Sequence, residues 1–191
     1  KLEAKYANRT DNEAMMQNIK DNVDMSRWIC VSAEKLYIVN SGDVIFMVMA
    51  DSDWAKSISY KLYDGNEKIR IAQETILGIA GVRILQQVGY NFDVIHMNEG
   101  HALPAAFELL RQYNGNLEEV QKKTVFTTHT PVAAGNEVHW VDTLLEGGFF
   151  AGASRDRAIQ LGGENFSLTV AALRMSRIAN AVSQLHGLVA N

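Results

Sequence analysis

Asn98, Glu99, Gly100 and His101 form a short polar run that ends an apolar stretch at 92–97, and a helical pattern follows at once. A second run, Thr127-Thr128-His129-Thr130, closes the next apolar stretch at 123–127. Together they supply two imidazoles (His101, His129), a carboxylate (Glu99) and an amide (Asn98), a set able to hydrogen-bond a polyhydroxylated or anionic ligand. Each residue alone has a plainer use as a helix cap or loop stabiliser. The set becomes a site only if the fold delivers both runs to one rim.

Other chemistries fit the spacing poorly. His96, Glu99 and His101 look like a zinc set, but zinc-binding helices carry histidines four apart on one face, and these are five apart across a strand-to-loop junction. Ser154, Ser167 and Cys30 are the candidate nucleophiles, and none lies in a nucleophile-elbow sequence. Leu161-Gly162-Gly163 lacks the spacing of a dinucleotide fingerprint. His96 is expected to pack at a strand end, and His139 and His186 have no evident partner.

The elements around the polar runs alternate. Stretches 27–33, 36–40 and 43–50 read as strands, the last buried on both faces, and 52–62 as a helix. A long helix is expected over 67–88, with Ile69, Ala72, Ile76 and Ile79 on one face, Gly78 and Gly81 smoothing it for a close neighbour, and Gly89 as C-cap. Next come a strand at 92–97 and a helix at 102–113 carrying Leu103, Ala106, Phe107 and Leu110 inward, with Pro104 in its tolerant first turn. A strand at 123–127, a helix at 141–150 and a Gly-rich connector at 152–163 follow. Asn165 is read as the cap of a helix that carries Phe166, Val170 and Leu173 on one side and Arg174 and Arg177 in its last turn. The segment 178–183 reads as a third parallel strand, with Ser183 capping a final helix. This order predicts an α/β fold, a parallel sheet wrapped by helices, and ligands bind such sheets beyond the carboxyl ends of the strands. Both polar runs fall there.

Composition limits the function classes. With 47% of 191 residues apolar, the chain can bury a real core, and a net charge of -4 gives it no overall footprint for nucleic acid or anionic lipid. One cysteine excludes a disulfide scaffold and fits a cytoplasmic protein. No apolar run reaches the roughly 18 to 20 residues that span a bilayer, so a soluble chain is expected. It begins at Lys1 rather than Met and ends just after an apolar segment, as a piece of a longer polypeptide would.

The motifs "HMNEGHA" (96–102) and "TTHTPVAAGN" (127–136) resemble the paired signatures of the α-glucan (glycogen or maltodextrin) phosphorylases. They are nearest the shorter bacterial and archaeal branch, which writes Glu-Gly where the animal and plant branch has Asp-Thr. In order, "LYDGNEKIRIAQETILGIAGVRIL" (62–85) and "FSLTVAALRMSRIANAVSQLHG" (166–187) are similar to the same branch, so the resemblance covers 43–191 and leaves 1–42 as an unaligned N-terminal segment. It implies a two-lobed glycosyltransferase of the GT-B type, of which 43–191 would be the Rossmann-like later part of the N-terminal lobe. The implied reaction is phosphorolysis of an α-1,4-glucan by inorganic phosphate to give glucose 1-phosphate, with pyridoxal phosphate as proton relay. The Schiff-base lysine, the phosphate-gripping Lys and Arg and the upstream Gly-rich loop have no counterpart here, and would belong with the C-terminal lobe and the rest of the parent.

Carried over residue by residue, the resemblance makes His129 the catalytic histidine at the glucosyl 6-hydroxyl, and Asn98, Glu99, His101 and Thr130 sugar-binding residues; Asp64 and Asn66 match a gate loop. Two stretches depart from the pattern: "VMADSDWAKS" (48–57) replaces a Leu-Asp-Thr-Asp run, and "PVAAGNEVHW" (131–140) lacks a proline. The isolated chain is expected to be inactive and not to bind pyridoxal phosphate. The alternative function is a non-catalytic carbohydrate-binding or regulatory α/β domain.

Overall fold

A computed structural model describes residues 29–31, 34–41, 43–49, 53–59, 61, 64–87, 89, 91–130 and 136–182. The polar segment 1–26, the loop 131–135 and the helix expected after Ser183, with His186, lie outside the described residues. The chain divides into two units, Lys1–Tyr60 and Lys61–Asn191. In the first, β1 (Ile29–Val31), β2 (Glu34–Ser41) and β3 (Asp43–Met49) form an antiparallel sheet in that order, and α1 (Asp53–Ser59) follows.

The second unit carries both polar runs. Its parallel sheet runs in the order β4 (Ile95–Asn98), β5 (Thr124–Thr128), β8 (Ile178–Ala181), as the alternation of elements predicts. Met97 is paired with Phe126, and both are fully buried beneath α4 (Pro104–Gln112), α5 (Leu117–Lys123) and α8 (Leu168–Met175). Leu103, Ala106, Phe107 and Leu110 all face this core, and Pro104 opens α4 where its missing N–H costs nothing. Phe107, Phe149, Phe150 and Phe166 stack edge-on or tilted, with Phe107 and Phe150 centroids 4.9 Å apart.

The long helix is not regular. It consists of α2 (Glu67–Thr75), a π-helical turn (Ile76–Ala80) and α3 (Gly81–Gln87), and its buried residues include Ile71, Gly78, Ile79 and Val82, whereas Ile69, Ala72 and Ile76 are only half-buried. Asn66 caps it by accepting from the N–H groups of Lys68 and Ile69, and Gly89 takes φ +83° just beyond its end. The π-helical turn packs on α4 and on the short 3-10 turn Gly100–Ala102.

Five sequence expectations are corrected. The helix at 141–150 stops at Glu146 (α6, Val141–Glu146), because Gly148 takes φ +70° and turns Phe149 and Phe150 into the core. The connector 152–163 contains α7 (Arg155–Gly162), started by the Ser154 hydroxyl accepting from Arg157 N and bounded by Gly152 and Gly163, both at φ +90°. Asn165 is not a cap: it pairs with Trp140 in the antiparallel ribbon of β6 (Val138–Trp140) and β7 (Asn165–Ser167), and Ser167 caps α8 instead. The inward face of α8 is Leu168, Ala171, Ala172 and Met175, while Val170 and Leu173 are exposed and Arg177 lies past its end. His96 also departs from expectation, being exposed and bonded through Nε2 to Thr127 Oγ1 at 2.6 Å. The Thr127 hydroxyl gives its one hydrogen to Asn180 Oδ1, so His96 donates.

A buried carboxylate joins α3 to α4. Glu108 is fully buried and accepts from Arg83, Arg111 and Gln112. Burial alone would raise its pKa, but hydrogen bonds from Arg111, Arg83 and Gln112 outweigh it and push the carboxyl down to about 2.

The two helix glycines should behave oppositely. A Cβ at Gly78 would lie 2.5 Å from Ala105 N and 2.8 Å from Pro104, whereas one at Gly81 would meet nothing within 4 Å. Gly78→Ala is expected to lower unfolding free energy by about 1 to 3 kcal/mol by forcing α4 away, and Gly81→Ala to raise it by up to about 1 kcal/mol. Denaturant unfolding of both variants checks the pair.

Candidate functional site

The turn after β4 and the loop after β5 meet at one end of the parallel sheet. Glu99 N–H donates to Thr127 O at 2.9 Å, which continues the β4–β5 ladder one step into the loop. The Glu99 carboxylate then gathers both loops. Its Oε1 accepts from the N–H of His129 and from the Thr130 and Thr128 hydroxyls at 3.3 and 3.4 Å, and its Oε2 accepts from Gly100 N–H at 3.3 Å. Glu99 holds φ +70° and ψ 171°, a region that ordinarily admits only glycine. Beside it, the His129 ring bonds through Nε2 to Asn98 Oδ1, with both side chains exposed.

A pocket of about 190 Å³ opens next to this tie, lined by Arg70, Glu99, Gly100, His101, Thr130, Asn136, Glu137, Leu168 and Thr169. Three of the five expected site residues, Glu99, His101 and Thr130, therefore share one wall. Asn98 and His129 form a separate pair on the adjoining rim. Asp64 and Asn66 are absent from the lining: Asp64 accepts from Asn66 N–H at 2.8 Å, and Asn66 caps α2. Gly100 is needed for close approach, since a Cβ there would lie 2.8 Å from Leu168 Cβ.

The rest of the lining comes from elements far away in sequence. Arg70 on α2 donates from Nε and Nη2 to the two oxygens of Glu137 at 2.9 and 3.0 Å, a bidentate pair spanning 67 residues. Leu168 N–H donates to Glu137 O, and Thr169 Oγ1 to Asn136 Oδ1, which fixes the 136–137 segment on the start of α8. His139, partnerless in the sequence reading, is buried and lies 2.7 Å through Nδ1 from Glu67 Oε1. Long-range pairs of this kind leave no local pattern; only the charged residues of "NEKIRIAQE" and "NEVH" hinted at them.

The electrostatics favour a neutral, hydroxyl-rich ligand. Burial first, then the Arg70 charge, holds the His101 imidazole below its ordinary pKa, so near neutral pH it is uncharged and can both donate and accept. Among the described lining residues Arg70 is the one cation, set against the two carboxylates Glu99 and Glu137. An anion would meet net repulsion there. None of the described lining residues is a lysine, so these residues do not fit a Schiff-base cofactor such as pyridoxal phosphate. No group of three His, Cys, Asp or Glu side chains among the described residues could hold a metal ion, and no described helix is long and apolar enough to cross a membrane.

An α/β unit whose parallel strands end at such a pocket has the architecture of a lobe of a GT-B glycosyltransferase. The chain belongs to the glycosyltransferase family described as the starch synthase catalytic domain, whose model matches residues 3–186. It is 36% identical to the maltodextrin phosphorylase of Thermococcus litoralis over 171 residues, 83% of this chain and 20% of that protein. A glycogen phosphorylase of Mycobacterium tuberculosis is 34% identical over 163 residues, 70% of this chain and 19% of that protein. An uncharacterised protein of Methanocaldococcus jannaschii is 42% identical over 136 residues, 71% of this chain and 26% of that protein. The chain thus spans about a fifth to a quarter of the relatives it matches.

Strain at Glu99 inverts the usual order of substitution. Both Glu99→Ala and Glu99→Gly remove the carboxylate, but only glycine relieves the backbone, so Glu99→Gly should be the more stable by about 1 to 2 kcal/mol. Thermal unfolding of the two variants decides it.

Proposed function

We propose that the chain is part of an α-1,4-glucan phosphorylase and that its pocket holds a glucosyl unit at the non-reducing end of the glucan. The observation that carries this reading is the lining itself: an imidazole kept neutral, a hydroxyl and a carboxylate from beyond the carboxyl ends of parallel strands, joined by an amide, a second hydroxyl and a second carboxylate, with the one cation among the described lining residues already paired with Glu137. The two relatives named as phosphorylases support the reaction class. Inorganic phosphate and pyridoxal phosphate, which supplies the proton relay when bound, are assigned to other parts of the parent polypeptide.

In this reading the residues of the chain bind and orient. Glu99 holds the two loops together, His101 and Thr130 meet sugar hydroxyls inside the pocket, and His129, aimed through Nε2 by Asn98 on the rim, bonds through its other ring nitrogen to the hydroxyl that moves as the ring flattens. A bond that strengthens toward the transition state shows in turnover. Without the opposing lobe the charge developing in the reaction has no preorganised partner, so the 191 residues alone are inactive.

His129→Ala in the full-length parent is expected to lower kcat/KM by roughly ten- to a hundredfold, the worth of one such hydrogen bond at about 1 to 3 kcal/mol. Its melting temperature should barely move, because the ring is exposed and, among the described residues, is bonded to the exposed Asn98 alone. A destabilised but fully active variant would mean that His129 is a loop stabiliser. The 191-residue chain, mixed with maltoheptaose, phosphate and pyridoxal phosphate, should release no glucose 1-phosphate yet bind the glucan in calorimetry; binding without any lysine-bearing parent sequence downstream would favour a non-catalytic sugar-binding domain.

A further inference from the structure

Behind the Glu137 wall lies a carboxyl group that sugar binding does not use. The Glu74 side chain is 1% exposed, and neither of its oxygens has a hydrogen-bond partner among the described residues. Its nearest charge is Arg70, whose Nη2 lies 3.0 Å from Oε1 one helical turn earlier. The same guanidinium already donates from Nε and Nη2 to both oxygens of Glu137, which is 36% exposed. The other titratable groups around the cluster, among the described residues, are His139, with Nε2 3.9 Å from Glu137 Oε1 and Nδ1 on Glu67, His101 and Glu99 in the pocket lining, and His129 on the adjoining rim.

One guanidinium cannot compensate two desolvated carboxylates. Removing a carboxylate from water costs several kcal/mol unless partners replace the lost hydration, and Glu74, 1% exposed, faces a guanidinium already bonded to both oxygens of Glu137. Glu137 has two good donor contacts and partial access to solvent. The charge belongs on Glu137 and the proton on Glu74.

We propose that Glu74 is a positioning residue: buried and protonated, it leaves the Arg70 fork on Glu137 and so fixes an anionic hydrogen-bond acceptor on the pocket wall for a sugar hydroxyl. The sugar part rests on the reading given under Proposed function; the proton does not. Burial first, then the facing Glu137 charge, raises the Glu74 carboxyl from 4.5 to about 8 against the pull of Arg70. For Glu137 burial works upward too, but the Arg70 hydrogen bonds prevail and hold it below the ordinary carboxylate value. A carboxyl raised in this way contributes stability that is complete below pH 4.5 and is lost as pH rises through about 8. Above that pH an ionised Glu74 competes for Arg70 and loosens Glu137.

Glu74→Gln is an uncharged copy of the protonated acid. On the 191-residue chain, the melting temperature of the wild type should fall relative to Glu74→Gln between about pH 5 and about pH 9. Maltotriose affinity should drop roughly tenfold over the upper part of that range in the wild type and stay level in the variant. Parallel melting and binding profiles for the two proteins would overturn the proposal. If neither protein binds maltotriose near neutral pH, the sugar-binding reading falls, and the melting profiles still decide on the proton. If Glu74→Gln fails to fold, carboxyl-carbon NMR of the wild type takes its place: a Glu74 midpoint near pH 8 supports the proposal, and a midpoint near 4.5 overturns it.

Discussion

Parallel strands end side by side with no hairpin to tie their loops together, and the Glu99 carboxylate supplies that tie. It draws an N–H from its own turn, a hydroxyl from the end of the neighbouring strand, and an N–H and a hydroxyl from the loop beyond it. The backbone conformation that aims it costs of order 1 to 3 kcal/mol, and such a residue persists only where its surroundings over-determine it. Four donors do so here. Gly100 completes the constraint, because the turn that Glu99 starts must pass against Leu168 with no room for a side chain. The pocket wall formed by His101 and Thr130 follows from these two positions.

Carboxyl groups in this unit differ by what surrounds them more than by how deeply they lie. Glu108 and Glu74 are both almost inaccessible to solvent, yet one is driven down to about 2 and the other up to about 8. Two arginines and a glutamine hold Glu108 in fork geometry, whereas Glu74 has one guanidinium already committed elsewhere. Burial therefore sets the stakes and donors set the outcome. The same rule separates the ends of the long helix, with a charged clamp at α3 and a pocket-side cluster at α2.

How far the sequence alone reached follows from the range of each interaction. The three parallel strands, the inward face of α4 and the meeting of the 98–101 and 128–130 runs rest on local periodicity and on a general rule about sheet ends, and the structure has them. Helix α7 was hidden by the two glycines that bound it, although Ser154 with Asp156 behind it is a start signal. On α8 the larger Val170 and Leu173 drew the eye while the small Ala171 and Ala172 are what the core admits. Arg70 with Glu137, and Glu67 with His139, are pairs about seventy residues apart, and no period or spacing announces them. Arg70 and Glu137, two of the nine lining residues, form one such pair.

The π-helical turn between α2 and α3 amounts to one residue more than a regular helix would need. Each residue turns an α-helix by about 100°, so an extra one sets the angular phase of α2 against that of α3. Gly78, within that turn, is pinned to α4, and Arg83 beyond it to Glu108, so the insertion shows as the phase of the first half. Deleting Ile76 or Leu77 would leave those anchors in place and swing Arg70 and Glu74 away from Glu137. The charge on this wall of the pocket is placed by a residue count, as a frame is placed in a reading register, and by no side chain of the turn itself.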